Sequence, residues 1–524
     1  MSENQGMSRR SFLTRASIAA VGAAAFGLAG CTEEEAGTSR GSLFAAADDG
    51  VWDATSQVVI VGGGGAGLTA AVVAAQAGAT VTVIEAAATV GGNTINSSGV
   101  IQASGTELQK TYTGVTDDTP EKHAEYYLAC GEGQLNEDLV RYACEQAPAM
   151  VAFMEGLGVK YEVCYGNGPI PNVSEDVRRP RIHLAGMSEN DLAYGQWHVD
   201  ALNKAATAAG VTFVMNTPVT QLVQNVDGVV TGVVAGDKKY KATKGVILAT
   251  CSFDRNAEMA KAYSTHMVGV LADGFAITIP TNTGDGIKLG MSVGADLTGF
   301  GGFIGLSNNI GGFPTLPIVP PVPGIIVNKY GRRFVAESDH YAWVLRAIFA
   351  QEDRIAYGVL DAKSMALSGA VVGGVHPFSD NFADEITDGT AWTGNTIAEL
   401  AANMGVNAEA LQYEINTWNR DMNTTKIDSQ YPSSASGLVP IDTPPFYATR
   451  MYDYNLGSLG GLKIDTAAHV INVDGEPIAR LYAAGQVAGG FMGSYYPGTG
   501  TGILSTLAFG TAAANSVLAE TEVA

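Results

Sequence analysis

The 524-residue chain is 46% hydrophobic and 16% charged and holds 65 glycines. That composition excludes a disordered or fibrous chain and suits a large α/β enzyme of two or three domains. Its formal charge of −22 at pH 7 excludes nucleic acid and anionic lipid headgroups as partners of its surface.

The first 31 residues read as an export signal and not as part of the fold. Ser8-Arg9-Arg10-Ser11-Phe12-Leu13 is a twin-arginine motif, followed by an alanine-rich apolar run over residues 16–29 that is too short to span a bilayer. Leu28-Ala29-Gly30-Cys31 resembles the bacterial lipobox, which predicts an outer-face protein lipid-anchored at Cys31. Cleavage there takes the 30 basic and 52 acidic residues to 27 and 51, a charge of −24, so membrane residence would rest on the lipid. Residues 32–56 are small and polar at first and read as a flexible tether.

The fold opens with Val58-Val59-Ile60-Val61, then Gly62-x-Gly64-Gly65-Ala66-Gly67, a helix-forming run, and a second strand, Ala79–Ile84, that ends on Glu85. Strand, glycine turn, helix, strand and an acid about 20 residues beyond the glycines make a dinucleotide-binding unit. Gly62 permits the tight turn, Gly64 the approach of a pyrophosphate, and Gly67 close packing of helix on strand. Helix N–H groups face the phosphates, and Glu85 is placed to accept from ribose hydroxyls.

Thr119-Pro120 and Asn136-Glu137-Asp138 each predict a helix start. Val211–Val234 reads as a hairpin meander, and Gly245–Thr250 as an apolar strand that returns to the parallel sheet. Thr283-Gly284-Asp285 opens a short helix. After it the texture turns Gly/Pro/aromatic-rich, which predicts an inserted cap domain over 291–456 between the first (57–290) and second (457–524) parts of the nucleotide domain. A helix from about Gly502 closes the chain. Cys130, Cys144, Cys164 and Cys251 have neither zinc nor iron–sulfur spacing, so no metal is expected. They read as buried thiols, with a Cys130–Cys144 disulfide as the alternative.

With these landmarks the chain resembles the fumarate reductase / 3-ketosteroid dehydrogenase flavoprotein superfamily over residues 57–520. The landmarks are the glycine turn, Glu85, Gly91-Gly92-Asn93-Thr94, Val246–Thr250, Thr283–Ile287, Gly331-Arg332-Arg333-Phe334-Val335-Ala336-Glu337 and Tyr482-Ala483-Ala484-Gly485. The resemblance implies an α/β fold, with a Rossmann-like FAD-binding domain and an inserted α+β cap, and an active site at their interface. It implies FAD contacts from Gly62, Gly64, Gly65, Ala66, Gly67, Glu85, Ala86, Gly91, Gly92, Asn93, Thr94, Ser98, Gly99, Val219, Ala249, Thr250, Asp285, Gly485, Gln486, Gly502, Ile503 and Leu504. Two positions depart from the family: Gln486 stands where Glu is usual, and Cys251-Ser252 where two glycines are usual. Residues 86–105 hold no histidine, which predicts non-covalent FAD. The chain carries no domain for haem or covalent FMN, so a separate electron donor or acceptor at the membrane is expected.

Dicarboxylate-reducing members hold substrate with Arg and His, because a desolvated carboxylate needs charged partners. The matching positions here are Tyr341, Gly457 and Tyr496, all neutral. In the ketosteroid branch a tyrosine follows the same Glu by four, and Y-P-G-x-G supplies a second tyrosine and a glycine N–H. The resemblance thus assigns catalysis to Tyr341, Tyr496 and Gly500. Tyr496 and Gly500 polarise a ketone conjugated to a C=C, while Tyr341 exchanges the α-proton and flavin N5 exchanges hydride with the β-carbon. A further family tyrosine falls near Tyr161 or Tyr165. Arg332, Arg333, Arg346, Arg181 and His183 are the cationic candidates for an anionic substrate. A steroid-like enone is the favoured small-molecule substrate. The alternatives are an exported reductase of a small acrylate-type carboxylate (fumarate, urocanate or cinnamate class) and a binding lipoprotein without turnover.

Overall fold

The computed structural model of the chain describes residues 44–171, 173–186, 194–264, 276, 278–307, 324–368, 382–431, 439–451, 453–493 and 495–523. The twin-arginine motif, the apolar run and Cys31 lie outside the described residues. The described residues fall into two compact units. The larger lies within Thr32–Asn167, Asn172–Ile304 and Asn455–Ala524, the smaller within Gly168–Pro171 and Gly305–Tyr454.

The larger unit is built on a nine-stranded sheet. In chain order its strands are β1 (Ala46–Ala47), β2 (Ala54–Val61), β3 (Val81–Ile84), β4 (Thr212–Val214), β5 (Val219–Gln224), β6 (Val230–Ala235), β7 (Lys238–Leu248), β8 (His469–Ile471) and β9 (Pro477–Ala483). The spatial order runs β1-β5-β6-β7-β2-β3-β4, with β9 joined to β7 and β8 to β9. β7, β2, β3 and β4 are parallel, and so is β9 on β7. Val58, Val59, Ile60, Val246, Ile247 and Leu248 are fully buried, as parallel strands covered on both faces must be. β5, β6 and the first half of β7 form the expected antiparallel meander. β4 departs from that reading. It follows the helix Tyr194–Ala208 and so adds in parallel to β3, as a crossover connection requires.

Helix α1 (Gly65–Gln76) is apolar nearly all round and packs against the closing helix Thr501–Ala519. By length and composition the closing helix could cross a membrane, but here it is a core helix, 67% buried. Thr119 and Asn136 cap the helices Pro120–Cys130 and Glu137–Gly156 as expected, each accepting from a backbone N–H at 3.2 Å. Residues 297–298 pair with Gly461–Lys463, which keeps the start of the sequence-predicted cap inside the larger unit. Cys130, Cys144 and Cys164 are buried free thiols, so the Cys130–Cys144 bridge is not formed; Cys251 is free and part-buried.

The smaller unit is α+β. Its antiparallel sheet runs Ile325–Asn328, Ala356–Asp361, Phe446–Arg450, Ala391–Gly394. Alternation sends Ile325, Val327 and Val359 to one core with Leu400, Leu411, Ile415 and Trp418 from the helices Ile397–Met404 and Ala408–Thr424. Ile326 and Leu360 face the opposite core, with Val344 and Ile348 of the helix Tyr341–Phe349. That helix is therefore fixed by a two-sided sheet.

Candidate active site

The glycine turn is shaped by close approach. A Cβ on Gly62, at φ +104°, would stand 2.5 Å from the Ala249 carbonyl oxygen, and one on Gly67 would stand 1.9 Å from the Gly62 carbonyl oxygen. Above Gly64, by contrast, the nearest heavy atom to a Cβ is Gly92 Cα at 3.8 Å. The backbone there is open, with the N-terminus of α1 beside it, which is the cradle a diphosphate needs. Gly91 N–H ties to the Gly63 carbonyl at 2.9 Å. Glu85 is buried, and its carboxylate accepts from Gly63 N–H at 2.6 Å and Ala87 N–H at 2.8 Å. It braces the turn as well as lining the space beside it.

The turn opens on a cleft. Of the residues assigned to FAD, it is lined by Gly62, Gly64, Gly65, Ala66, Glu85, Ala86, Gly92, Asn93, Thr94, Val219, Ala249, Thr250, Asp285, Gly485 and Gln486. Gly67 and Gly91 support the loop from behind. Gly99 packs on the Tyr194 backbone, where a Cβ would meet carbon at 2.2 Å, and its neighbour Ser98 is part-buried. Gly502, Ile503 and Leu504 form the first turn of the closing helix. The cleft also takes in residues that the sequence did not single out for it, among them Cys251, Ile279, Thr281, Asn282 and Thr506. Thr281 and Asn282 sit directly before the Thr283-Gly284-Asp285 landmark, which was the available signal. Asp254 knits this wall together, accepting from Ser252 Oγ and Asn282 Nδ2 at 2.9 Å each and from Ser458 N–H.

The closing turn Tyr496–Gly500 is held by buried side chains. Tyr126 O–H donates to the Pro497 carbonyl at 2.8 Å, and Asn167 Nδ2 donates to the Tyr126 oxygen at 3.1 Å. Gln102 Nε2 donates to the Thr499 carbonyl at 3.1 Å. A Cβ on Gly500 would lie 2.9 Å from Gln102 N, at φ +99°, so only glycine fits. The Tyr496 oxygen sits over the start of the closing helix and accepts from Gly502 N–H at 3.3 Å. Burial pushes this phenol up to about 12, while the N–H groups of Gly502, Gly500 and Thr501 pull it back toward its ordinary value. Tyr496 thus stays protonated beside the Gly500 N–H. Of the two candidates for a further tyrosine, Tyr161 is engaged with His198 Nε2 at 3.1 Å. Burial pushes the Tyr165 phenol up, with Cys164, Tyr194 and Tyr496 adding to the shift.

In the smaller unit Tyr341 is the first residue of its helix and is 6% exposed, its ring tilted by 30° against the capping residue His340 at 4.4 Å between ring centres. Val344, Leu345 and Ile348 share its buried face, whereas Arg346 is exposed. Glu337 accepts from Ile326 N–H at 2.8 Å and pairs with Arg333 at 2.6 Å. Asp339 lines a cavity with Phe334, Trp343 and Arg346. Burial, reinforced by Glu337, pushes its carboxyl up to about 7.

Three cationic candidates from the sequence are consumed by structure. Arg333 is buried between Glu337 and Asp428 and lies over the Trp418 and Tyr431 rings at 4.9 and 5.2 Å. Arg181 forms a buried pair with Asp118 at 2.6 Å. His183 is held between the Arg181 carbonyl at 2.7 Å and Thr106 Oγ1 at 2.6 Å. A buried charge keeps its partner because losing it leaves an uncompensated ion. Arg332 is half-exposed and pairs with Glu414 at 3.3 Å.

Residues 57–503 match the family described as FAD binding domain. Digoxin reductase of Eggerthella lenta is 30% identical over 98% of this chain and 97% of its own. The structure of 3-ketosteroid-delta4-(5alpha)-dehydrogenase from Rhodococcus jostii RHA1, in complex with 4-androstene-3,17-dione, has a TM-score of 0.76 and 26% identity, covering 90% of this chain and 99% of that one. The open conformation of a flavocytochrome c3 fumarate reductase has a TM-score of 0.67 and 27% identity, covering 89% of this chain and 79% of that one. The cleft suits FAD: the open backbone over Gly64 takes the diphosphate, and Glu85 and Ala86 sit at the end of β3, where a ribose belongs.

Proposed function

The chain belongs to the FAD binding domain family and is an FAD-dependent oxidoreductase acting on C=C or CH–CH bonds, and within that chemistry we propose that its substrate is a C=C conjugated to a ketone, with steroid-like enones foremost. FAD supplies hydride exchange at flavin N5. Tyr496 O–H and Gly500 N–H are the neutral donors to the ketone oxygen, and Tyr341 handles the α-proton. The observation that carries this reading is the protonated Tyr496 hydroxyl held beside Gly500 at the start of the closing helix, in a turn fixed by Tyr126, Asn167 and Gln102. The internal pairing of Arg333 and Arg181 supports it, because those cations are spent within the protein, and burial holds the pKa of His183 below its ordinary value. A relative named for digoxin and a solved relative holding 4-androstene-3,17-dione point the same way.

A small acrylate-type carboxylate is the second reading. Exposed Arg346, beside the Asp339 cavity, favours it, as does the NADH:acrylate oxidoreductase of Vibrio harveyi, 33% identical over 56% of this chain and 29% of its own. Reoxidation of the photoreduced flavin by a panel of enones and acrylates separates the two. Fast reoxidation by acrylates and none by enones overturns the first.

The protein is exported by the twin-arginine pathway and anchored by lipid at Cys31, where it exchanges electrons with a separate membrane partner. The motif, the apolar run and the lipobox-like Leu28–Cys31 support this. Unlipidated protein found in the cytoplasmic fraction would overturn it. FAD is held without a covalent bond, a reading supported by residues 86–105, which hold no histidine, and by the cleft lining among the described residues, and acid should release it intact.

A further inference from the structure

We propose that Gln486 is a hydrogen-bond donor to the bound flavin, locked in that orientation by the thiol of Cys251. Both side chains line the cofactor cleft, together with Asn93 and Asn282. Cys251 adopts φ +63°, a left-handed conformation that disfavours any side chain, yet it carries one here. Its sulfur accepts from Asn93 Nδ2 at 3.4 Å and from Asn282 Nδ2 at 3.5 Å. Burial pushes the thiol up to about 12, so the sulfur keeps its proton. That single proton goes to Gln486 Oε1, at 2.9 Å.

The chemistry of the thiol therefore decides which way the amide faces. The protonated sulfur has one donor to offer, Gln486 Oε1 at 2.9 Å is a much closer acceptor than Ser252 Oγ at 3.9 Å, and an amide N–H₂ could not accept it. Gln486 Nε2 is turned away from it, buried and without a hydrogen-bond partner among the described residues. The space it fills exists because residue 457 is glycine: a Cβ there would stand 2.1 Å from Nε2. A buried amide N–H₂ without an acceptor is costly, so the group is built to meet an acceptor that arrives with the cleft's occupant.

Reduction adds electron density to the flavin, so a fixed neutral donor favours the reduced form and a carboxylate at the same place opposes it. Cys251 is then a positioning residue and Gln486 the contact. The inference requires FAD in the cleft but not the enone reading. The potential is measured without substrate, so a wrong substrate class leaves it untouched.

The test is the two-electron midpoint potential of the purified holoenzyme, by equilibration with reference dyes. Gln486→Glu and Gln486→Leu should each lower the reduced-to-oxidised equilibrium at least tenfold, about 30 mV for a two-electron couple. Cys251→Ala should shift it in the same direction by less, and Cys251→Ser, which keeps a proton donor, should restore it. The Cys251→Ala/Gln486→Leu double variant should fall no further than Gln486→Leu alone, because the thiol acts only through the amide. A wild-type potential in Gln486→Leu with full FAD content overturns the donor. Additive shifts in the double variant overturn the lock. Should the Gln486 variants purify without FAD, the dissociation constant of FAD decides. Weaker binding in Cys251→Ala with wild-type binding in Cys251→Ser supports the pair, and equal binding in both overturns it.

Discussion

Tyr126 and Pro497 meet through a buried hydrogen bond of 2.8 Å that spans 371 positions in sequence, and it fixes the turn from which Tyr496 and Gly500 project. Tyr126→Phe keeps the ring but removes the shorter partner of both the Pro497 carbonyl and the Asn167 amide, leaving them only their mutual contact at 3.5 Å. Such a loss costs about 1–3 kcal/mol. The expected result is a lower Tm and a raised KM, with FAD content unchanged. Thermal melts and steady-state kinetics on one preparation check it.

Tyr496 and Gly500 should respond differently to substitution. On the proposed assignment Tyr496→Phe removes one of two donors to the carbonyl, so both binding and rate should weaken by roughly 10- to 100-fold, short of complete loss. Gly500→Ala pushes a methyl against the Gln102 backbone at 2.9 Å and should cost more than losing the hydroxyl. Because Tyr496 titrates at about 12, the wild-type enzyme should show no alkaline loss from this group until pH approaches that value. An alkaline limb near pH 9 that vanishes in Tyr496→Phe would contradict the assignment.

Tyr341→Phe should act on rate alone. The ring keeps its contact with His340 and its place on the buried face of the helix, so melting and FAD content should stay near wild type. Turnover should fall by roughly 100-fold or more, the usual scale for losing a general acid or base. Turnover close to wild type returns Tyr341 to packing.

Asp339 gives a stability signature. Its carboxyl is raised to about 7 by burial, with Glu337 adding to the shift and Arg346 on the same cavity. Between the unfolded value near 3.9 and about 7, the folded state therefore binds more proton than the unfolded one. Its contribution is fully present below pH 4 and is lost as pH rises to 7. Asp339→Asn should flatten Tm against pH over that window and raise Tm relative to wild type at pH 8. Parallel curves for the two proteins would place the raised value elsewhere.

Substrate charge separates the two readings of function. Several charge-assisted hydrogen bonds, at about 1.5–3 kcal/mol each, hold a dicarboxylate in sites built for one. With Gly457 and Tyr496 neutral, enones should reoxidise the reduced flavin orders of magnitude faster than fumarate does, as stopped-flow absorbance at the flavin band will show.

The sequence by itself determined the nucleotide unit. Glycines at 62, 64 and 67 and the acid at 85 are local signals, since backbone freedom and a strand's end are properties of adjacent residues. Cap residues Thr119 and Asn136 were legible for the same reason, whereas the α+β character of the inserted segment followed from the family resemblance and not from local signals. What tertiary structure decided were the partners of charged and polar groups, because such pairing depends on which distant segments meet. Arg181, His183 and Arg333 looked available in sequence, and only the folded chain pairs them with Asp118, Thr106, Glu337 and Asp428. Glu85 gained two backbone donors that no spacing rule shows. Gln486, Cys251 and Gly457 lie up to 235 positions apart, so neither the direction of the amide nor the space it fills could be read before the strands brought them together.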